Sequence, residues 1–279
     1  MTTIVDDVRA ELFDAIEKGR IVLPTLPEVA LRVREAAEDP DADVFKISEV
    51  LSTDAALSAR VVKVANSPLL RAANPITDLG MAISRLGISY SCNLAVGLAM
   101  EQMFQATSDT VDKKMRQIWA QSTEIAGITS VLAKTFTKLN ADQATLAGLI
   151  HKIGALPILS YAEANRGLTK QPELLDKLIS NLHPEVGKMI LETWDFTDDL
   201  ACVPIEHLNF ARSTDKVDYA DVVMVAVLQA SSREELELLE APDWEEISAF
   251  ERVGISTEVN AFEDEDLSDV MAESIACLQ

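Results

Sequence analysis

Cysteine is scarce in this chain. Cys92, Cys202 and Cys277 are the three thiols in 279 residues. They are odd in number, far apart and form no CxxC pair, which argues against a disulfide framework and predicts reduced thiols in a cytoplasmic protein. Aromatics make up 5% of the chain, and glycine and proline number ten each. With so little β-branched and aromatic alternation, a sheet protein is disfavoured. Basic residues are also short: 24 Lys and Arg stand against 46 Asp and Glu, a net charge of −22. Such a field repels nucleic-acid phosphates and anionic lipid surfaces, so neither nucleic acid nor a membrane is expected as a partner. No Lys/Arg run offsets it. The N-terminus carries acids every few residues, unlike a signal peptide, and no apolar run is expected to reach bilayer length.

What is abundant is aliphatic mass, since hydrophobic residues make up 48% of the chain. Ile4, Val5, Val8, Leu12, Phe13 and Ile16 recur at helical spacing over residues 4–18. Pro24 and Pro27 predict an extended entry to a helix over Glu28 to about Pro40. Two short helices follow, the first capped by Asp43 and the second by Thr53 or Asp54. Thr77 is the expected cap of the next, with Gly87 as a left-handed stop. "ISYSCNLAVGLAMEQMF" extends it to about Phe104. A polar stretch near residue 108 marks a lobe boundary, and a long helix is expected from about Val111 to Lys138.

"ATLAGLIHKIGALPILSYAE" places Ala147 and Gly148 before His151, a composition suited to close helix packing. Pro157 falls in the first turn of the following helix. His183 before Pro184 reads as the entry to a separate helix. The tail is acidic, yet Leu236, Leu239, Trp244, Ile247, Phe250, Val253, Ile255, Val259 and Phe262 argue for short packed helices. Gly148 and Gly154 do not form a GxxxxGK[ST] phosphate loop. Ser67 and Ser91 have no histidine nearby in sequence. Asn66 and Ser67 are read as a helix end bonded to local backbone, and Trp119 and Trp194 as core.

Five ordered elements carry a resemblance: Leu23 to Pro27, Ala65 to Ser67, Ala82 to Gly87, "AGLIHKIGALPI" and "HPEVGKMILETWDF". Together, over roughly residues 20–230, they resemble the HDOD domain family, relatives of the HD metal-dependent phosphohydrolases. The resemblance implies an all-α fold: an N-terminal helical lobe (1–108), an HD-like lobe (109–232) and an acidic helical extension (233–279) packed on the latter. HD enzymes hold divalent metal with histidines and aspartates.

In this chain the pattern falls on Gln121 for the first histidine and on His151 and Lys152 for the His-Asp pair. It falls on His183 and His207 for the later histidines, and near Val227 for the last acid. Asp221, nearly two turns earlier, is a poor substitute. Gln121, His151, Lys152, His183 and His207 are therefore expected to line a relic pocket with no catalytic role and no cofactor. The alternative is one divalent metal ion on His151, His183 and His207. The implied function is a bacterial cytoplasmic signalling module that contacts protein partners and is tuned by a small anionic ligand. A phosphohydrolase with a reduced single-metal site is the alternative.

Overall fold

Aspartates at the heads of short apolar runs shape the first lobe. The computed structural model describes residues 2–70, 75–257 and 265–278, and the apolar tail positions Val259 and Phe262 lie outside the described residues. After α1 (Thr2–Glu17), Pro27 leads into α2 (Glu28–Glu38), which buries Ala30, Val33 and Ala36. Asp43 caps α3 (Val44–Leu51) by accepting the Lys46 N–H at 2.7 Å. Asp54 rather than Thr53 caps α4 (Ala55–Ala65), accepting the Leu57 N–H at 2.9 Å. Each cap satisfies an amide with no partner inside its helix and contributes about 1 kcal/mol.

The cap of α5 (Leu79–Leu86) is Asp78, which accepts the Met81 N–H at 2.8 Å. This corrects the expectation of Thr77. A carboxylate satisfies the same amide and adds a negative charge at the positive helix end. Gly87, at φ +86°, ends α5 and heads α6 (Ile88–Met100). That helix stops short of Phe104, and a separate tight turn over Glu101–Met103 follows.

Ser108 caps α7 (Asp109–Phe136), the long central helix, which packs chiefly on α8 (Ala141–Ile150). A Cβ on Gly148 would stand 2.4 Å from Ala126 Cα, so the two backbones touch where any larger residue would collide. Pro157 lies in the first turn of α9 (Ala155–Ala164). Together Ala141–Ala164 are long and apolar enough to cross a membrane by length and composition, correcting the expectation that no apolar run reaches that length. Most of the stretch is buried inside the fold, so its apolarity is accounted for by core packing.

The helix α10 (Pro172–Thr193) runs unbroken through Pro184. The expectation of a new helix at His183 is thus corrected. Leu175, Leu178, Ile179, Leu182, Val186, Ile190 and Leu191 keep one face buried on both sides of the proline. That burial outweighs the roughly 3 kcal/mol that an interior proline costs. The short α11 (Asp198–Ala201) and α12 (Val203–Glu206) lead to α13 (Tyr219–Ala230).

The tail forms α14 (Arg233–Leu238), α15 (Ser248–Val253) and α16 (Glu265–Leu278). The last lies along α7 and also touches α4 of the first lobe, where Arg60 Nη2 donates to Leu278 O at 3.1 Å. No strand occurs among the described residues, and the fold is all-α with an HD-like helical arrangement. Trp119 and Trp194 are each 7% exposed, and Trp194 Nε1 donates to Pro24 O at 2.9 Å. Asn66 bonds Val62 O at its own helix end and also clamps Ile76 through both N–H and C=O.

Candidate functional site

Two helix ends and one helix interior bring the chain's histidines together. His151 ends α8, His207 ends α12, and His183 sits inside α10. All three are buried, at 0%, 1% and 1% exposure for His151, His183 and His207. Each Nδ1 faces a carbonyl of its own helical turn: Gly148 O at 2.6 Å, Ile179 O at 2.8 Å and Val203 O at 2.8 Å. A carbonyl only accepts, so Nδ1 carries the proton and Nε2 carries the lone pair. None of the three Nε2 atoms has a hydrogen-bond partner.

Pro184 bears on this geometry. It has no N–H for the Ser180 carbonyl, and the His183 ring lies against that carbonyl as well as that of Ile179. Gly154 lies against the same segment. A Cβ there would stand 2.1 Å from His183 O and 2.4 Å from Gly187 N. The glycines flanking His151 thus serve close backbone contact.

The rings meet edge to face. Centroids of His151 and His207 are 5.2 Å apart, and those of His183 and His207 are 5.7 Å apart. Burial is the main cause that holds all three imidazoles neutral, and it pushes His207 down to about 4. The positive charge of Lys152 acts in the same direction on each of them.

Lys152 lies beside this cluster, and its Nζ is 3.4 Å from Gln121 Oε1, a marginal hydrogen bond. Gln121 Nε2 donates in turn to Glu235 Oε1 at 3.2 Å. Burial lowers the Lys152 ammonium's affinity for its proton, and the charge of Glu235 raises it again. A cavity of about 190 Å³ opens beside these groups, lined by Gln121, Lys152, His183, His207, Val227 and Glu235 among others. His151 packs T-shaped against the ring of His207 and is not among the residues lining the cavity. Lys114 and Asp176 pair at the same cavity.

Where the pattern calls for a last acid, Val227 presents an apolar wall. Asp221 is fully buried and engaged elsewhere, by Arg212 and by Arg252. Glu235 went unanticipated because it comes from the tail. The Ser232-x-x-Glu235 capping box was a readable signal for its helix, with Ser232 N donating to Glu235 Oε2 at 2.8 Å.

Pinned tautomers and unpartnered Nε2 atoms suit a borderline-soft divalent ion. Among the described residues, however, no three His, Cys, Asp or Glu side chains converge as a formed ligand set. The two-metal arrangement does not fit, because an ammonium occupies the sequence position of the bridging carboxylate.

The chain belongs to the HDOD domain family, whose match covers residues 23–209. A crystal structure named "Putative metal-dependent phosphohydrolase" from Shewanella amazonensis SB2B is similar over 100% of both chains, with 29% identity and a TM-score of 0.84. An HDOD domain protein with unknown function from Geobacter sulfurreducens has 22% identity and a TM-score of 0.67, covering 97% of this chain and 98% of that one. That likeness concerns the fold alone. An uncharacterized protein of Treponema pallidum (strain Nichols) is 27% identical over 208 residues, which are 70% of this chain and 39% of that protein. The chain therefore matches well under half the length of that relative.

Proposed function

We propose that this chain is a non-catalytic regulatory module of bacterial cytoplasmic signalling. It acts through protein contacts, and a small anionic ligand in the histidine-lined cavity tunes those contacts. The observation that carries this reading is Lys152, whose ammonium lies beside the neutral histidine cluster at the position the HD pattern gives to an acid. At 4 Å and an effective dielectric near 20, an ammonium and a divalent ion repel by about 8 kcal/mol, an upper bound for a flexible side chain. Val227 and the engagement of Asp221 by two arginines support the same reading. Metal-assisted phosphoester hydrolysis needs a positioned ion, a nucleophile generated on it and compensation for charge in the transition state. This residue set offers at most the first.

The second reading is a phosphohydrolase with one ion on His151, His183 and His207. It is favoured by the three unpartnered Nε2 atoms and by the name of the Shewanella relative. The test is to assay cyclic dinucleotides, nucleoside phosphates and an aryl phosphate with Mn, Mg, Ni, Fe and Zn. No rapid turnover is expected. Substantial turnover that vanishes in His151→Ala and survives in Lys152→Ala would promote the second reading.

A further inference from the structure

We propose that the Lys152 ammonium is the resident cation of the histidine nest, a tethered occupant that excludes divalent metal. The inference rests on the non-catalytic reading above and deepens it by naming the group that meets the histidine lone pairs in place of a metal.

The argument is one of donors and acceptors. Three buried Nε2 lone pairs have no donor. Lys152 follows His151 directly in the chain and carries three N–H donors, of which one makes a marginal 3.4 Å contact to Gln121. Burying polar groups unpaired is costly on both sides of this mismatch. Rotation about the lysine's flexible stem would carry these donors toward the Nε2 atoms of His183 and His207, which line the same cavity as Lys152.

The charged groups around it are consistent with two stations. Outward lie Gln121 and Glu235, with the Lys114–Asp176 pair beyond. Inward lie His151, His183 and His207, all neutral and all sensing the lysine's charge. The structure shows the outward station. Because Glu235 belongs to α14, the outward station is also where the tail meets the pocket.

The test compares the full chain with Lys152→Met, which keeps the apolar stem and removes the donors. Lys152→Gln is the second variant should the first fail to fold. Long-range proton–nitrogen NMR reads the three Nε2 resonances directly. At least one is expected upfield in the parent relative to the variant, as an acceptor engaged by an N–H would be. Zinc alone, titrated by calorimetry, should bind the variant at least about tenfold more tightly than the parent, since a neighbouring positive charge has been removed. Adding His183→Ala to the variant should abolish that gain. Identical Nε2 resonances in parent and variant, or equal zinc affinity, overturns the proposal. Turnover by the parent protein would instead overturn the non-catalytic reading, so the two failures are told apart.

Discussion

Asp221 stands between two arginines, and its Oδ1 accepts from Arg252 Nη2 at 2.7 Å and from Arg212 Nη1. Arg252 comes from α15 and Arg212 from the loop before α13, so one buried carboxylate ties α15 to α13. Asp218 extends the cluster by pairing with Arg212 and capping α13. Replacing Asp221 with Ala leaves Arg212 buried without its innermost partner. The expected loss is about 3–5 kcal/mol in urea unfolding. A change below 1 kcal/mol would show that the cluster is not a structural tie.

Stability should fall as pH drops below about 6.5. The three histidines are held neutral in the folded chain, mainly by burial, so the unfolded chain takes up protons first. Their contribution is complete above the unfolded value of about 6.5 and is lost as pH falls towards the folded value. For His207, folded at about 4, the full loss is about 3 kcal/mol. Between pH 6.5 and 5 most carboxylates stay ionised, which isolates the effect. His207→Gln should flatten the slope there, and an unchanged slope would refute the assignment.

Gly127 is where α16 docks. A Cβ at that position would meet Ile275 N at 2.8 Å and Ile275 Cα at 2.9 Å, and that backbone cannot yield without moving α16. Gly127→Ala should cost about 1–3 kcal/mol. Hydrogen exchange should locate the damage, with faster exchange over 265–278 while α8 keeps its protection.

The two lobes should unfold together. Arg34 of α2 donates to Trp194 O at 2.6 Å and to Asp195 O at 3.0 Å, α6 packs on α8, and α16 touches both lobes. Residues 1–108 and 109–279, expressed apart, should each be poorly folded. Two fragments that each unfold cooperatively would show independent domains.

Much of this molecule is legible in local sequence. Asp43 and Asp54 act within three residues of themselves, and apolar spacing alone marks most helices. Val227 could be placed near the histidines only because the HDOD resemblance puts the last acid of the HD pattern there. The Thr77–Asp78 pair leaves one local ambiguity: both residues can cap, and Asp78 does so because the first turn of α5 closes on its side chain.

The sequence by itself determined an all-helical chain and placed an ammonium where the HD pattern has an acid. Tertiary structure decided the rest. Pro184 reads locally as a helix entry, and a continuous buried face carries α10 through it. Asp221 and Arg252 are 31 residues apart, and Gln121 and Glu235 are 114 apart. No periodicity links such pairs, because the free energy that joins them comes from desolvated charges and polar groups brought together by packing. The same holds for the histidines: the sequence gives the residue types, but burial, with the charge of Lys152, makes them neutral, and their Nε2 lone pairs are left unpartnered by packing.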